Sequence, residues 1–180
     1  VIITFLSALC TMNSIKLTPV ELITIAKEAE NKYVGVSCGK LDQSCEVYCI
    51  KDHLLYMDLK DDSYELMPKR SKMKPYEIAI FFSGLERSLM ASSAFNSRVD
   101  EMKSAAFAMK SYAGMDSSTF ADSRLREVPR EVFEQYKDRL PDSWRKRATH
   151  FYGEYERVQQ GAKAWREGNI EKFGQLIFES

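Results

Sequence analysis

The residue types best suited to chemistry stand together at residues 35–44, which read GVSCGKLDQS. Gly35 and Gly39 flank small polar residues, and Asp42 follows where a helix is expected to begin. Glycine lets a backbone approach a ligand closely, and the free amides at a helix start favour a negative charge. Asp42 is therefore a candidate acid or base. It could equally cap the helix, and these ten residues leave both interpretations open.

A second group, Cys45, Cys49 and His53, recurs at intervals of four. On one helix these residues would share a face, and thiolates and imidazoles are zinc ligands. Three such residues without a second Cys, His or acidic pair nearby are more typical of a buried helix face that leads into a strand. We therefore predict no metal site. His150 lies beside an apolar stripe and is expected to be structural or to form surface hydrogen bonds.

The helices that precede the Gly-rich stretch are predicted from apolar runs and capping residues. Residues 1–10 are apolar and indicate the end of a buried helix. Thr18, Pro19 and Glu21 then supply an N-cap, a proline at the first helical position and an acid at the third. A second helix should follow to about Lys32.

The stretch itself should lead into a short helix and then into strands. We predict the helix over residues 41–49 and strands over residues 53–59 and 64–68. A further strand is predicted over residues 76–83, because apolar and aromatic residues alternate there: Tyr76, Ile78, Ile80 and Phe82. The first half of the chain is thus expected to be mixed α and β.

A basic, proline-containing segment separates the two halves of the chain. Residues 68–75 read PKRSKMKP, and the proline at each end disfavours continued sheet or helix. We place a domain boundary in this segment. This boundary divides the chain into one predicted domain over residues 1–70 and another over residues 71–180.

Helical spacing dominates the second half. A helix over residues 95–113 is predicted from five residues at intervals of three and four: Val99, Met102, Ala106, Met109 and Ala113. A second, longer stripe predicts another helix, which Gly168 ends and after which Asn169 caps the next. Its members are Trp144, Ala148, Phe151, Tyr155, Val158, Ala162 and Trp165. We interpret this stripe as a core face, the alternative being a surface that binds a partner helix.

Composition excludes several classes of partner. The chain has 180 residues with equal numbers of basic and acidic side chains, 26 each, so its formal net charge is zero. No basic footprint therefore indicates nucleic acid or an anionic membrane as a partner. Four cysteines in a chain of this length are too sparse for a disulfide framework and are expected to be reduced.

The ends of the chain suggest a location and a fragment. The apolar residues 1–10 are too few to span a bilayer and lack the basic flank of a signal peptide, so we expect a cytoplasmic protein. All eight methionines are internal, and the helical pattern continues up to Ser180. We therefore expect an internal piece of a longer protein.

Residues 37–44, SCGKLDQS, resemble the Cys-Gly-x-x-Asp-Gln signature of galactokinases in the GHMP kinase superfamily. Four further short motifs follow in the order and spacing of galacturonokinase-like members. They are FSGL at residues 82–85, FNSRV at 95–99, RATH at 147–150 with RV at 157–158, and the segment 164–174. The resemblance spans nearly the whole chain, and the Asp-Gln block is its most diagnostic part.

The resemblance implies an ATP-dependent kinase that phosphorylates the anomeric C1 hydroxyl of galactose or a related sugar. Asp42 takes the role of general base or electrostatic orienter beside that hydroxyl, and Gly39 that of a backbone contact to the sugar. Phosphoryl transfer rests mostly on positioning and charge neutralisation, so such an acid need only orient the acceptor and accept one proton.

Two further residues are implied with less agreement among the relatives. Phe95 falls where galactokinases and galacturonokinases have a tyrosine next to the sugar, so the ring is kept and its hydroxyl is absent. Arg87 corresponds to an arginine near the catalytic acid of galactokinases, whereas the gap-free alignment with galacturonokinases places Glu86 there.

The same resemblance implies the fold and the cofactors. The fold is α+β: the end of a GHMP kinase N-terminal domain followed by the start of a ferredoxin-like C-terminal domain. The cofactors are ATP and Mg²⁺, held in the full-length protein. The chain contains no Gly-x-x-x-x-Gly-Lys-Ser/Thr motif and no other Gly-rich phosphate cradle, so we expect it to be inactive alone.

Three alternatives remain open. The first is a galacturonokinase, and the second is a non-catalytic sugar sensor that acts by binding a partner protein. The third is a helical interaction module in which the Trp144 to Trp165 stripe is exposed and Asp42 only caps a helix.

Overall fold

The chain divides into two compact units, Val1–Pro75 and Tyr76–Ser180. The computed structural model describes residues 1–85, 94–115 and 119–180. The predicted assignment of residues 1–70 and 71–180 to the two domains of a GHMP kinase stays a prediction. Within the described ranges, no helix has the length and apolarity that crossing a membrane requires.

The first unit begins with three α-helices, and a π-helical turn lies between the second and the third. Helix α1 covers Ile2–Met12, and α2 covers Pro19–Glu28. The π-helical turn Ala29–Val34 extends α2, and α3 covers Leu41–Tyr48. All three predicted helices are confirmed, although only Ile3 of α1 is buried, so the expectation of a buried first helix is wrong.

The start of α2 has the predicted capping residues. The Thr18 hydroxyl oxygen accepts a hydrogen bond from the Glu21 amide at 3.3 Å, and the Glu21 carboxylate accepts one from the Thr18 amide at 2.7 Å. Pro19 occupies the first helical position. This reciprocal capping box satisfies two amides that the helix itself leaves unpaired.

A hairpin completes the first unit. Strands β1, His53–Met57, and β2, Tyr64–Pro68, pair antiparallel with Leu55 opposite Leu66. Both strands were predicted. The connecting turn contains Asp62 in a left-handed conformation, at a φ of 63°.

The only regular secondary structure in the described residues of the second unit is helical. It contains α4 (Ala94–Tyr112), α5 (Arg130–Tyr136), α6 (Asp142–Glu167) and α7 (Ile170–Glu179), with 3-10 turns at residues 120–122, 125–127 and 137–139. Helices α4 and α6 pack on each other, as do α6 and α7. The core lies between α4, α5 and α6 and contains Ala105, Ala106, Met109, Leu125, Val128, Phe133, Leu140, Ala148 and Tyr152.

The long apolar stripe of α6 is a core face, as predicted. Ala148 and Ala162 are buried and Trp165 is only 2% exposed, whereas Val158 faces solvent. Phe151 is half-buried and packs against the core. The stripe meets helices of its own unit and is not the exposed surface that an interaction module needs.

The end of α6 also matches the prediction. Gly168 adopts the left-handed conformation at a φ of 75°, which glycine reaches without a steric penalty. The Asn169 side chain then accepts a hydrogen bond from the Lys172 amide at 3.0 Å and caps α7.

The strand predicted over residues 76–83 does not form. Residues 76–85 have no regular secondary structure, and Ile78 and Ile80 are 83% and 92% exposed. Alternation alone cannot hold a strand, because its backbone groups and apolar face need a neighbouring strand, and the described strands β1 and β2 form a sheet of two with each other. The fold is therefore a mostly helical α+β arrangement, and the sheet of a ferredoxin-like domain stays a prediction.

Candidate functional site

Asp42 lies in the first turn of α3, immediately after the glycine-containing turn. Lys40 is the N-cap residue and contributes no side-chain cap, so Asp42 is the second helical residue. Asp42 is exposed, and the capping role left open by its sequence is not its role in this structure. Its carboxyl group is therefore accessible to a ligand beside the start of the helix.

The backbone next to Asp42 is accessible. Gly39 is exposed, and a Cβ atom built on it would meet nothing within 4 Å. Gly35, at a φ of 84°, ends the π-helical turn in the left-handed conformation and reverses the chain toward Gly39. A ligand can therefore approach the Gly39 backbone from solvent.

A polar network supports this segment from the side of α2. Oε2 of Glu30 accepts a hydrogen bond from Gln43 Nε2 at 2.6 Å and another from the Cys38 thiol at 3.0 Å. Asn31 Oδ1 also lies within hydrogen-bonding distance of that thiol, at 3.1 Å. In return, Asn31 Nδ2 donates to the Cys38 carbonyl at 3.3 Å.

The two side chains that contact Glu30 differ from Asp42 in their exposure. Gln43 is only 8% exposed, and Cys38 is half-buried. Burial raises the pKa of the Cys38 thiol to about 11, and the hydrogen bond and negative charge of Glu30 add to the effect. Cys38 is thus a neutral hydrogen-bond donor at physiological pH.

An ion pair with the hairpin also stabilises this segment. The Lys40 ammonium pairs with the Asp62 carboxylate, and the Lys40 side chain is about three-quarters buried. The Ser44 hydroxyl donates to the Lys40 carbonyl at 2.7 Å. A small cavity beside this pair is lined by Val20, Ile23, Thr24, Lys40, Ser44, Tyr48, Met57 and Asp62.

The residues considered as metal ligands do not share a helix face. Cys45 lies in α3, Cys49 follows its end with an extended backbone, and His53 begins β1. Burial raises the pKa of the Cys45 thiol. The neighbouring Cys49 and the charge of Asp42 raise it further, by smaller amounts. No group of three or more His, Cys, Asp or Glu side chains in the described ranges could hold a metal ion.

The remaining predicted site residues lie in the second unit. Phe95 is half-buried in the first turn of α4. Arg87 and its alternative, Glu86, lie outside the described residues. His150 is exposed on α6, which agrees with a surface role.

Sequence reasoning missed the residues that support Asp42. Glu30, Asn31 and Asp62 stand 12, 11 and 20 positions away from Asp42 and belong to no motif that we recognised. The pairs form only because the π-helical turn and the hairpin approach the start of α3. Glu30 and Asn31 follow an apolar helix, and nothing in the neighbouring sequence indicates which residues they will contact.

Comparison with known proteins finds similarity to sugar kinases over nearly the whole chain. Galacturonokinase of Arabidopsis thaliana is 35% identical over 178 residues, which are 99% of this chain and 41% of that protein. Galactokinase of Thermotoga maritima is 36% identical over 160 residues, or 89% of this chain and 41% of the relative. The crystal structure of Lactococcus lactis galactokinase complexed with galactose matches at a TM-score of 0.79 and 28% identity, covering 94% of this chain and 41% of that one.

No family model matches the chain. It spans about two fifths of the length of the curated relatives. The similarity nevertheless extends over 89–99% of the chain, and the fold agrees with part of a galactokinase. The chain belongs to the galactokinase- and galacturonokinase-like GHMP kinases.

Proposed function

We propose that this chain is part of an ATP-dependent sugar kinase that phosphorylates the anomeric C1 hydroxyl of galactose or a closely related sugar. The observation that carries the proposal is the exposed Asp42 carboxylate beside the open Gly39 backbone, in a segment that resembles the galactokinase signature. The galactose complex of the Lactococcus lactis relative supports a hexose as substrate.

In this mechanism Asp42 orients the sugar hydroxyl and accepts its proton as the oxygen attacks phosphorus. Phosphoryl transfer makes modest demands on the protein beyond in-line positioning and charge neutralisation, so one carboxylate within hydrogen-bonding reach of the acceptor is sufficient as base. The Asp42 side chain is exposed, so the acceptor hydroxyl can reach it.

Two residues supply contacts to the sugar. The Gly39 backbone approaches it closely, since no side chain intervenes. Phe95 offers an aromatic ring without the tyrosine hydroxyl, which removes one hydrogen bond worth about 1 kcal/mol. Arg87 is proposed to interact with the transition state or with the catalytic acid.

ATP and Mg²⁺ are required by the proposed reaction and do not fit the residues of this chain. The sequence has no Gly-rich phosphate cradle, and the described residues contain no cluster of metal ligands. In this proposal the nucleotide and the metal are bound by other parts of the full-length protein, and this chain alone is inactive.

A panel assay on the full-length protein that contains this chain tests the proposal. ADP release is followed with galactose, galacturonate, glucuronate, mannose and mevalonate as acceptors. Turnover with one hexose or uronic acid supports the kinase and identifies its substrate. Silence on all five, with sugar binding retained, refutes the kinase and favours a non-catalytic sugar sensor.

Replacement of Asp42 tests its role separately. We expect Asp42→Asn to lower kcat by about 100-fold or more, the usual range for losing a positioned general base, while sugar binding measured by calorimetry is largely kept. Glu46→Gln, an exposed acid on the same helix, is the matched control and should leave kcat unchanged. Undiminished turnover of Asp42→Asn would refute the assignment.

Galacturonate is the second candidate substrate. It is favoured by the match to the Arabidopsis thaliana galacturonokinase over 99% of this chain. The ratio of kcat/KM for galactose to that for galacturonate in the panel assay decides between the two sugars.

A further inference from the structure

We infer that Glu30 is a positioning residue for Asp42, an inference that rests on the proposed sugar-kinase function. Glu30 does not lie in the Gly-rich stretch and is expected to contact neither sugar nor nucleotide. Its carboxylate contacts two residues that bracket the site in sequence: Cys38, just before Gly39, and Gln43, just after Asp42.

One oxygen atom makes both contacts. Oε2 of Glu30 lies 2.6 Å from Gln43 Nε2 and 3.0 Å from Cys38 Sγ. Hydrogen bonds to a carboxylate are shorter and stronger than those between neutral groups, and partial burial strengthens them further. The turn and the first residues of α3 are therefore attached to a single point on the preceding element.

This attachment determines the direction in which Asp42 points. Adjacent residues of an α-helix differ by about 100° around its axis, so anchoring Gln43 on the buried side directs Asp42 away from it. The burial of the two residues agrees, since Gln43 is buried and Asp42 is exposed. Without the anchor, the short helix α3 could rotate or fray at its first turn.

The element that carries Glu30 is unusual in its own right. Glu30 and Asn31 belong to the π-helical turn Ala29–Val34, and both approach the Cys38 thiol. π-Helical turns are rare and often occur at functional sites, because the extra residue in the turn redirects side chains. Asn31 adds a second support through the Cys38 carbonyl, at 3.3 Å.

The experiment compares variants of the full-length protein that contains this chain. We expect Glu30→Ala to lower kcat by about 10- to 100-fold, as small misplacements of catalytic groups do, with KM for ATP unchanged. Glu30→Gln keeps an oxygen that can accept a hydrogen bond and should recover most of the loss. Glu28→Ala is the matched control, because Glu28 is an exposed acid paired only with the surface residue Lys32 in the described contacts, at 2.9 Å.

A purely structural role gives a different result. It would lower the melting temperature of Glu30→Ala while kcat per folded molecule stays within about twofold of the unsubstituted protein, and this outcome would overturn the inference. Should Glu30→Ala not fold, Gln43→Leu removes the same hydrogen bond from the other side. An unchanged kcat in that variant would likewise overturn it.

Failure of the kinase proposal is distinguishable from failure of this inference. If the unsubstituted protein turns over no sugar, the positioning role of Glu30 is tested instead by the galactose affinities of the variants, measured by calorimetry. Weaker galactose binding by Glu30→Ala than by Glu28→Ala supports the positioning role, because the Gly39 backbone that contacts the sugar lies in the same segment that Glu30 anchors through Cys38. Equal binding by the two variants overturns it, and absence of binding by the unsubstituted protein refutes both proposals.

Discussion

The thiol of Cys38 provides a direct test of the network beside Asp42, because its reactivity depends on Glu30. Burial raises its pKa from an ordinary 9.0 to about 11, and the hydrogen bond and charge of Glu30 contribute next. Since only the thiolate is nucleophilic, this environment should protect Cys38 from alkylation. Replacing Glu30 by Gln removes the negative charge and should weaken the protection.

The size of the protection follows from two opposing effects. At pH 8 a pKa of about 11 instead of 9.0 reduces the thiolate population by roughly 100-fold. Each remaining thiolate is more nucleophilic by about 6- to 10-fold, because nucleophilicity rises with pKa. Cys38 should therefore react roughly ten times more slowly than an ordinary thiol, before any steric protection is counted.

The assay is alkylation of the folded full-length protein with iodoacetamide between pH 7 and pH 10. The labelled cysteine is identified by mass spectrometry of its peptide, and the exposed Cys49 serves as an internal reference. We expect slow labelling of Cys38 that keeps accelerating up to pH 10, faster labelling in Glu30→Gln, and no change in Glu28→Gln. Labelling of Cys38 at the rate of Cys49, with half of its maximal rate already reached near pH 9, would refute the reasoning.

Two further predictions concern stability and can be checked by urea denaturation. Thr18→Ala removes the N-cap that accepts from the Glu21 amide and should cost about 1 kcal/mol, whereas Thr18→Ser should cost little; equal effects would contradict the capping contribution. Tyr152→Phe removes the buried hydroxyl that donates to the Val128 carbonyl at 2.9 Å and should cost about 1–2 kcal/mol, with Tyr155→Phe, on the same helix, as a nearly neutral control. Burial also raises the pKa of Tyr152, so the folded state keeps a proton that the unfolded state loses near pH 10. The advantage of Tyr152 over Phe is therefore fully present below about pH 10 and should shrink above it; a difference that stays constant to pH 11 would contradict the burial effect.

Most helices could be predicted because their signals are local. Thr18 and Glu21 form their capping box between residues three apart, and Gly168 ends α6 through its own backbone conformation. These interactions need nothing distant in the chain. The stripe from Trp144 to Trp165 also has helical spacing, although its burial against neighbouring helices became certain only from the packing.

The strand predicted over residues 76–83 shows where local signals are insufficient. The alternation of Ile78 and Ile80 meets the side-chain requirement of a strand, yet the hydrogen bonds of a strand come from another strand. In the described residues no such partner exists, and these side chains remain exposed. The β1–β2 hairpin was predictable because both of its strands are close in sequence.

The same distinction between local signals and distant contacts applies to the candidate site. By itself the sequence determined that Gly39 and Asp42 stand in a galactokinase-like block at the start of a helix, since residue type and order are properties of the chain alone. Only the tertiary structure decided that Asp42 does not cap the helix, that Glu30 connects Cys38 to Gln43, and that Asp62 pairs with Lys40. The physical reason is that hydrogen bonds and ion pairs depend on distance in space, which residues far apart in sequence acquire only when their elements pack.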